Sequence, residues 1–135
     1  MTSQSVRVLI VDDQEPFRAA ARDVVELIDS FEVVGEAETG GGSVEAAAAL
    51  SPDLILMDVN LPDMDGFEAT RRILESNRNG VVVVALSTYE RERYEAPAAQ
   101  SGAAAYIPKS EFGPDELLAA WKTALEPRHG PSPGE

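Results

Sequence analysis

Three nearly uninterrupted apolar runs organise the chain: VRVLIV at 6–11, DLILM at 53–57 and VVVVAL at 81–86. Strands covered on both faces read this way, because neither side of the pleat meets water. The segments 32–38 and 103–107 are weaker but compatible strands, the second resting on its position more than on its alanines. Helix-like stretches lie between them. One covers 15–29 with Pro16 in its first turn, and one covers 43–50 from Ser43. A third covers 66–76 with Phe67, Ile73 and Leu74 at helical spacing, and another covers 114–126 from Pro114. The segment 91–101 predicts a short or kinked helix, since Pro97 lacks a backbone donor and crowds the preceding turn. Strand and helix alternate five times, which predicts an α/β fold: one doubly wound five-stranded parallel sheet with helices on both faces and right-handed crossovers.

Polar groups end several of these runs. Asp12-Asp13 follows VRVLIV, Asp58 follows DLILM, and Lys109 follows AAAYIP. In a parallel α/β sheet the carboxyl ends of the strands share one rim, where ligands bind. Three acids and a lysine should therefore meet. Such a cluster can hold a hard divalent cation and present one carboxylate as a nucleophile toward phosphorus. Asp12-Asp13 alone could simply cap the next helix, but its company favours chemistry. Asp63 and Asp65 sit beside Pro62 and Gly66 and read as an ordinary turn and helix start. Gly40-Gly41-Gly42 lacks the spacing of a phosphate-binding loop and reads as a flexible loop before the second helix.

At 135 residues with 44 % apolar content, the chain has the size of one domain and can bury a sizeable core. It has no cysteine, which excludes disulfides, thiolate nucleophiles and Cys-ligated zinc. A net charge of −13 repels a phosphate backbone, so direct nucleic-acid binding is not expected. The first residues carry no apolar leader and no run is long enough to span a bilayer, so the expectation is a cytoplasmic protein with no membrane partner. The domain is expected over 1–126. The Pro/Gly-rich 127–135 predicts a disordered tail or the start of a linker, and its His129 has no chemical context.

Four pieces in this order carry a resemblance: Val11-Asp12-Asp13-Gln14; Leu56 to Gly66 around Asp58; Ala85-Leu86-Ser87-Thr88; and Gly102 to Lys109. Together they are similar to the receiver domain of bacterial two-component response regulators, over roughly residues 6–126. Phe17-Arg18 beyond the acidic pair is most similar to the subfamily with a C-terminal helix-turn-helix. The resemblance implies a flavodoxin-like strand order 2-1-3-4-5 and a signalling switch rather than a turnover enzyme. Asp58 would be the phosphoacceptor, taking its group from a sensor histidine kinase, a phosphotransfer protein or a small donor. Mg²⁺ would be held by Asp12, Asp13, Asp58 and the backbone carbonyl of Asn60. Lys109 and Ser87 would contact the phosphoryl group, and Ser87 with Tyr106 would form the switch toward an output face on helix 4, strand 5 and helix 5. A homodimer formed on phosphorylation is a further implied partner.

The chain departs from the family pattern in three places. Pro108 precedes Lys109 and Ser110 follows it, so the cis bond common after the family's lysine is not expected. Thr88 stands where alanine is frequent, and Tyr89 next to it could shield an acyl phosphate from water. Trp121 reads as packing. Two other classes compete with this reading. A haloacid-dehalogenase-like hydrolase needs a second aspartate two residues after the nucleophile, where this chain has Asn60. A pseudo-receiver binding module would have lost phosphorylation, against which the complete Asp12, Asp13, Asp58, Ser87 and Lys109 set argues.

Overall fold

The computed structural model describes residues 5–77, 80–89 and 91–126. The tail 127–135, with His129, lies outside the described residues. Five strands form one parallel sheet: β1 (Val6–Val11), β2 (Phe31–Ala37), β3 (Leu54–Asp58), β4 (Val82–Ser87) and β5 (Ala105–Pro108). Their order is β2-β1-β3-β4-β5, as the resemblance implies. The connections are α1 (Glu15–Glu26), α2 (Gly40–Leu50), α3 (Gly66–Ser76) and α4 (Arg91–Ser101), and α5 (Pro114–Leu125) closes the domain. Among the described residues no helix is long and apolar enough to cross a membrane.

The period of two along each strand divides the core. Val8, Ile10, Leu54, Leu56, Val84 and Leu86 point to one face, where Ala21, Val25 and Leu117 from α1 and α5 cover them. Leu9, Val11, Ile55, Met57 and Val83 point to the other, against Ala47, Ala69 and Ile73 from α2 and α3. All of these side chains are buried. Trp121 meets Phe31 edge-on with ring centroids 6.0 Å apart, a packing role as expected.

Several boundaries differ from the sequence expectation. β2 begins one residue earlier, at Phe31, and α1 stops at Glu26 with Leu27 as its C-cap. The larger correction is α2, which starts at Gly40 rather than Ser43. The glycine run is the first turn of this helix and not a loop. Thr39 caps it, its hydroxyl accepting from Gly42 N at 2.9 Å. The Asp63 carboxylate accepts from Gly40 N at 2.7 Å and Gly41 N at 2.9 Å, so the donors orphaned at a helix start are satisfied from another loop. A Cβ at Gly40 would overlap Met64, which is why the turn is built from the residue without one. Pro97 lies inside α4, yet α4 has 11 residues, as many as α2 and α3.

The β3–α3 connection is pinned tightly beneath the strand end. Gly66 N donates to Val59 O at 2.7 Å, and Asn60 pairs with Asp65 in an isolated bridge. A Cβ at Gly66 would overlap the backbone carbonyl of Asp58, so only glycine permits this approach. Asp65 then caps α3, accepting from Glu68 N at 2.8 Å. Gly66→Ala should destabilise the domain by about 1–3 kcal/mol, the range of overpacking substitutions, measured as a lower midpoint in urea; an unchanged midpoint would show that the connection can open without cost.

Candidate functional site

The three strand ends deliver their side chains to one spot. A carboxylate oxygen from each of Asp12, Asp13 and Asp58 lies within 4.8 Å of the other two. Asp12 and Asp58 are buried, at 1 % and 3 % exposure, whereas Asp13 faces solvent. Lys109 follows β5 directly and opens a 3₁₀ turn over Lys109–Glu111. Its Nζ donates to Asp12 Oδ2 at 2.6 Å and stands 3.7 Å from Asp58 Oδ1. No peptide bond among the described residues is cis.

Asp12 does not cap α1, whose N-cap is Gln14 with no side-chain cap bond. Its Oδ1 accepts from Gln14 N at 2.8 Å at the start of α1, while Oδ2 takes the lysine. Its backbone carbonyl accepts from Arg18 Nη1 at 2.8 Å, and Arg18 Nε donates in turn to Glu36 on β2 at 2.9 Å. The acidic turn is thereby held from below.

Two like charges in a confined space raise the energy of the ionised state. Burial is the main reason that the Asp58 carboxyl is pushed up from its ordinary 3.8 to about 6, with the Asp12 charge adding to it. The Lys109 ammonium and the backbone N–H of Asn60, 3.2 Å from Asp58 Oδ1, pull the other way. The donor set is all oxygen and carries excess negative charge, which suits Mg²⁺ rather than a soft metal.

Ser87, at the end of β4, is fully buried. Its Oγ accepts from Asn60 Nδ2 and from Tyr89 N, each at 3.3 Å. Tyr106 on β5 is buried with its ring turned inward, and its hydroxyl donates to Tyr89 O at 2.6 Å. Tyr89 itself is exposed; Arg93 lies over its ring 5.2 Å from the centroid, and Tyr94 meets it edge-on at 5.4 Å. Thr88 and Tyr89 line an open cleft with Glu92 and Arg93. Six of the seven residues singled out from the sequence thus fall at or just beyond the ends of β1, β3, β4 and β5, while Tyr106 lies inside β5 and reaches Tyr89 through its hydroxyl.

Two contributors escape sequence reasoning. Asp63 is more than a turn residue, because it ties the connection after Asp58 to α2. Phe17 lies under the lysine, with Lys109 Nζ 4.4 Å from its ring centroid. The only sequence signal for either is proximity to a motif.

The family model described as response regulator receiver domain matches residues 8–122. Among curated proteins, the chain is 39 % identical over 104 residues to response regulator GacA of Pseudomonas viridiflava, covering 77 % of this chain and 48 % of that protein. It is 32 % identical over 126 residues to transcriptional regulatory protein DegU of Brevibacillus brevis, covering 93 % and 52 %. The chain spans about half the length of these relatives. Among solved structures, a LuxR-family two-component response regulator from Aurantimonas superposes with a TM-score of 0.81 at 29 % identity, covering 90 % of this chain and 86 % of that one. The response regulator domain of Thermotoga maritima CheB gives 0.80 at 27 %, covering 92 % and 100 %.

Between the ordinary value of 3.8 and about 6, the folded metal-free protein holds a proton on Asp58 that the unfolded chain has lost. Stability therefore falls as pH rises through that window, and the loss is complete above it. Asp58→Asn removes this titration. Thermal melts in chelator should show the variant gaining on wild type from pH 4 to pH 7, ending a few degrees more stable; a difference that does not change with pH would contradict the burial of this charge.

Proposed function

Because the chain belongs to the response regulator receiver domain family, we propose that it is a phosphorylation-dependent signalling switch whose phosphoacceptor is Asp58. The observation that carries this reading is the convergence of a buried Asp58 with Asp12, Asp13 and Lys109 at one rim.

An Oδ of Asp58 attacks the phosphorus of a phosphohistidine on a sensor kinase or phosphotransfer protein. The O–P bond forms, the P–N bond breaks, and the imidazole leaves with the electron pair. Phosphoryl transfer depends mainly on positioning and charge stabilisation, so the fixed side chains matter more than acid–base chemistry. Asp12, Asp13 and Asp58, with the backbone carbonyl of Asn60, would hold Mg²⁺, which supplies neutralisation of charge on the phosphoryl oxygens. Lys109 provides a second positive charge at the same place. Ser87 keeps its own proton to donate while its Oγ accepts from Asn60 and Tyr89, which suits it to a phosphoryl oxygen.

The same contacts support the switch. A phosphoryl oxygen that draws Ser87 toward it pulls on Tyr89 N, and Tyr89 O is held by the Tyr106 hydroxyl. Phosphorylation would then bias an existing equilibrium in Tyr106 and α4, altering the α4, β5 and α5 face presented to an output partner or a second copy of the chain. The chain assists its own phosphorylation and hydrolysis and turns over no other substrate. Asn60 occupies the place of the general acid that a haloacid-dehalogenase-like hydrolase requires, which leaves that alternative without support. A cytoplasmic setting, with the kinase as partner, completes the proposal.

Intact mass after incubation with a small acyl-phosphate donor should show one added phosphoryl group that requires Mg²⁺ and is absent in Asp58→Asn. No adduct from either a small donor or a histidine-phosphorylated partner would favour the pseudo-receiver module instead. The exposed Tyr89 ring beside the cleft should slow hydrolysis, so the aspartyl phosphate of Tyr89→Ala is expected to decay faster than that of wild type; equal half-lives would exclude shielding by the ring.

A further inference from the structure

A lysine is a poor fixed charge. Its ammonium ends a flexible four-carbon stem, and holding that stem in one geometry costs rotamer entropy. Lys109 nevertheless reaches from the start of the 3₁₀ turn to Asp12 and Asp58 with its side chain only 14 % exposed. Its bond to Asp12 Oδ2 is the shortest restraint on it, at 2.6 Å. If Lys109 serves a phosphoryl oxygen, that restraint has to be exchanged during the reaction.

The ammonium also makes a different kind of contact. Nζ lies 4.4 Å from the centroid of the Phe17 ring, within the range of a cation–π interaction. This attraction engages the face of the ring and uses no hydrogen-bond direction, so it can persist while the ammonium changes oxygen partners. The ring is itself held: Phe112 packs on it at 5.9 Å, and both side chains join the core cluster under α1 and α5. Phe17 therefore connects the core to Lys109, the basic side chain that, among the described residues, bonds the carboxylates of Asp12 and Asp58. Every other side-chain contact to Lys109 described above is to a carboxylate that the reaction rearranges.

We infer that Phe17 is a positioning residue for Lys109, its ring holding the ammonium at the rim while Lys109 passes from the Asp12 carboxylate to the incoming phosphoryl group. This rests on the role proposed above for Lys109, and the test separates the two. Lys109 and Lys122 are the only lysines in the chain, so protein labelled at lysine Cε gives two resolved signals, with Lys122 as internal control. In wild type the Lys109 methylene should be displaced upfield by the ring, and Phe17→Leu should abolish the displacement. Phe17→Leu should also slow Asp58 phosphorylation by a small acyl phosphate roughly 3- to 10-fold, the size of a partly desolvated cation–π contact. Mg²⁺ binding without donor should stay within about twofold of wild type, and Phe17→Tyr should restore both rate and shift. Phe17→Met, which lacks the ring but fills the space, replaces the leucine variant if that one does not fold. An unmoved Lys109 signal, a wild-type rate in the ringless variant, or a slow rate that Phe17→Tyr does not rescue would overturn the inference. If wild type takes no phosphoryl group at all, the proposed function fails, while the Lys109 signal still decides the contact.

Discussion

Two carboxylates, Asp12 and Asp58, are buried side by side at the ends of adjacent strands, and this unfavourable arrangement shapes the rest of the rim. Their repulsion is not relieved by solvent, because both are almost fully enclosed. It is balanced by Lys109, which donates to Asp12 and lies beside Asp58. Burial, with the Asp12 charge adding to it, still leaves the Asp58 carboxyl raised to about 6. A site poised in this way has an excess of negative potential that a divalent cation can neutralise, and neutralisation is what allows a further anion to approach. The sheet supplies the rigidity that keeps the charges together, since every strand of β1, β3 and β4 is packed on both faces.

Backbone contacts join this charge cluster to its surroundings. The Asp63 carboxylate holds the first turn of α2, and the backbone N–H groups of Gly41 and Gly40 lower it from its ordinary value. Arg18 performs the matching task on the other side, from α1 to the Asp12 carbonyl and across to Glu36. The connections that carry reacting groups are thus fastened to helices on both faces of the sheet.

Legibility in the sequence followed the range of the interactions. VRVLIV, DLILM and VVVVAL announce their strands because continuous burial leaves a continuous apolar record, and the polar residue ending each run marks the rim. Asp12, Asp13, Asp58 and Lys109 could be brought together on that basis. The start of α2 could not be read from local propensity, since three glycines argue against a helix. Thr39 was the local sign of a cap, but the decisive partner, Asp63, lies 23 residues beyond Gly40. Phe17 and Lys109, far apart in the chain, leave no pairwise trace at all, and an aromatic on an amphipathic helix ordinarily means core.

The seat of α4 has its own consequence. Of its described residues only Ala98 and Ser101 are buried, and Pro97 withholds one internal hydrogen bond. Its main anchor is Tyr94, whose ring meets Phe67, Tyr89 and Tyr106 edge-on at 5.7, 5.4 and 6.0 Å. Rings in edge contact can slide over one another with little loss of buried area, whereas interdigitated aliphatic side chains cannot. The helix therefore rests on a bearing rather than in a socket, so a switch of the kind proposed would need only small displacements of the two neighbouring tyrosines to steer it, without first having to melt it.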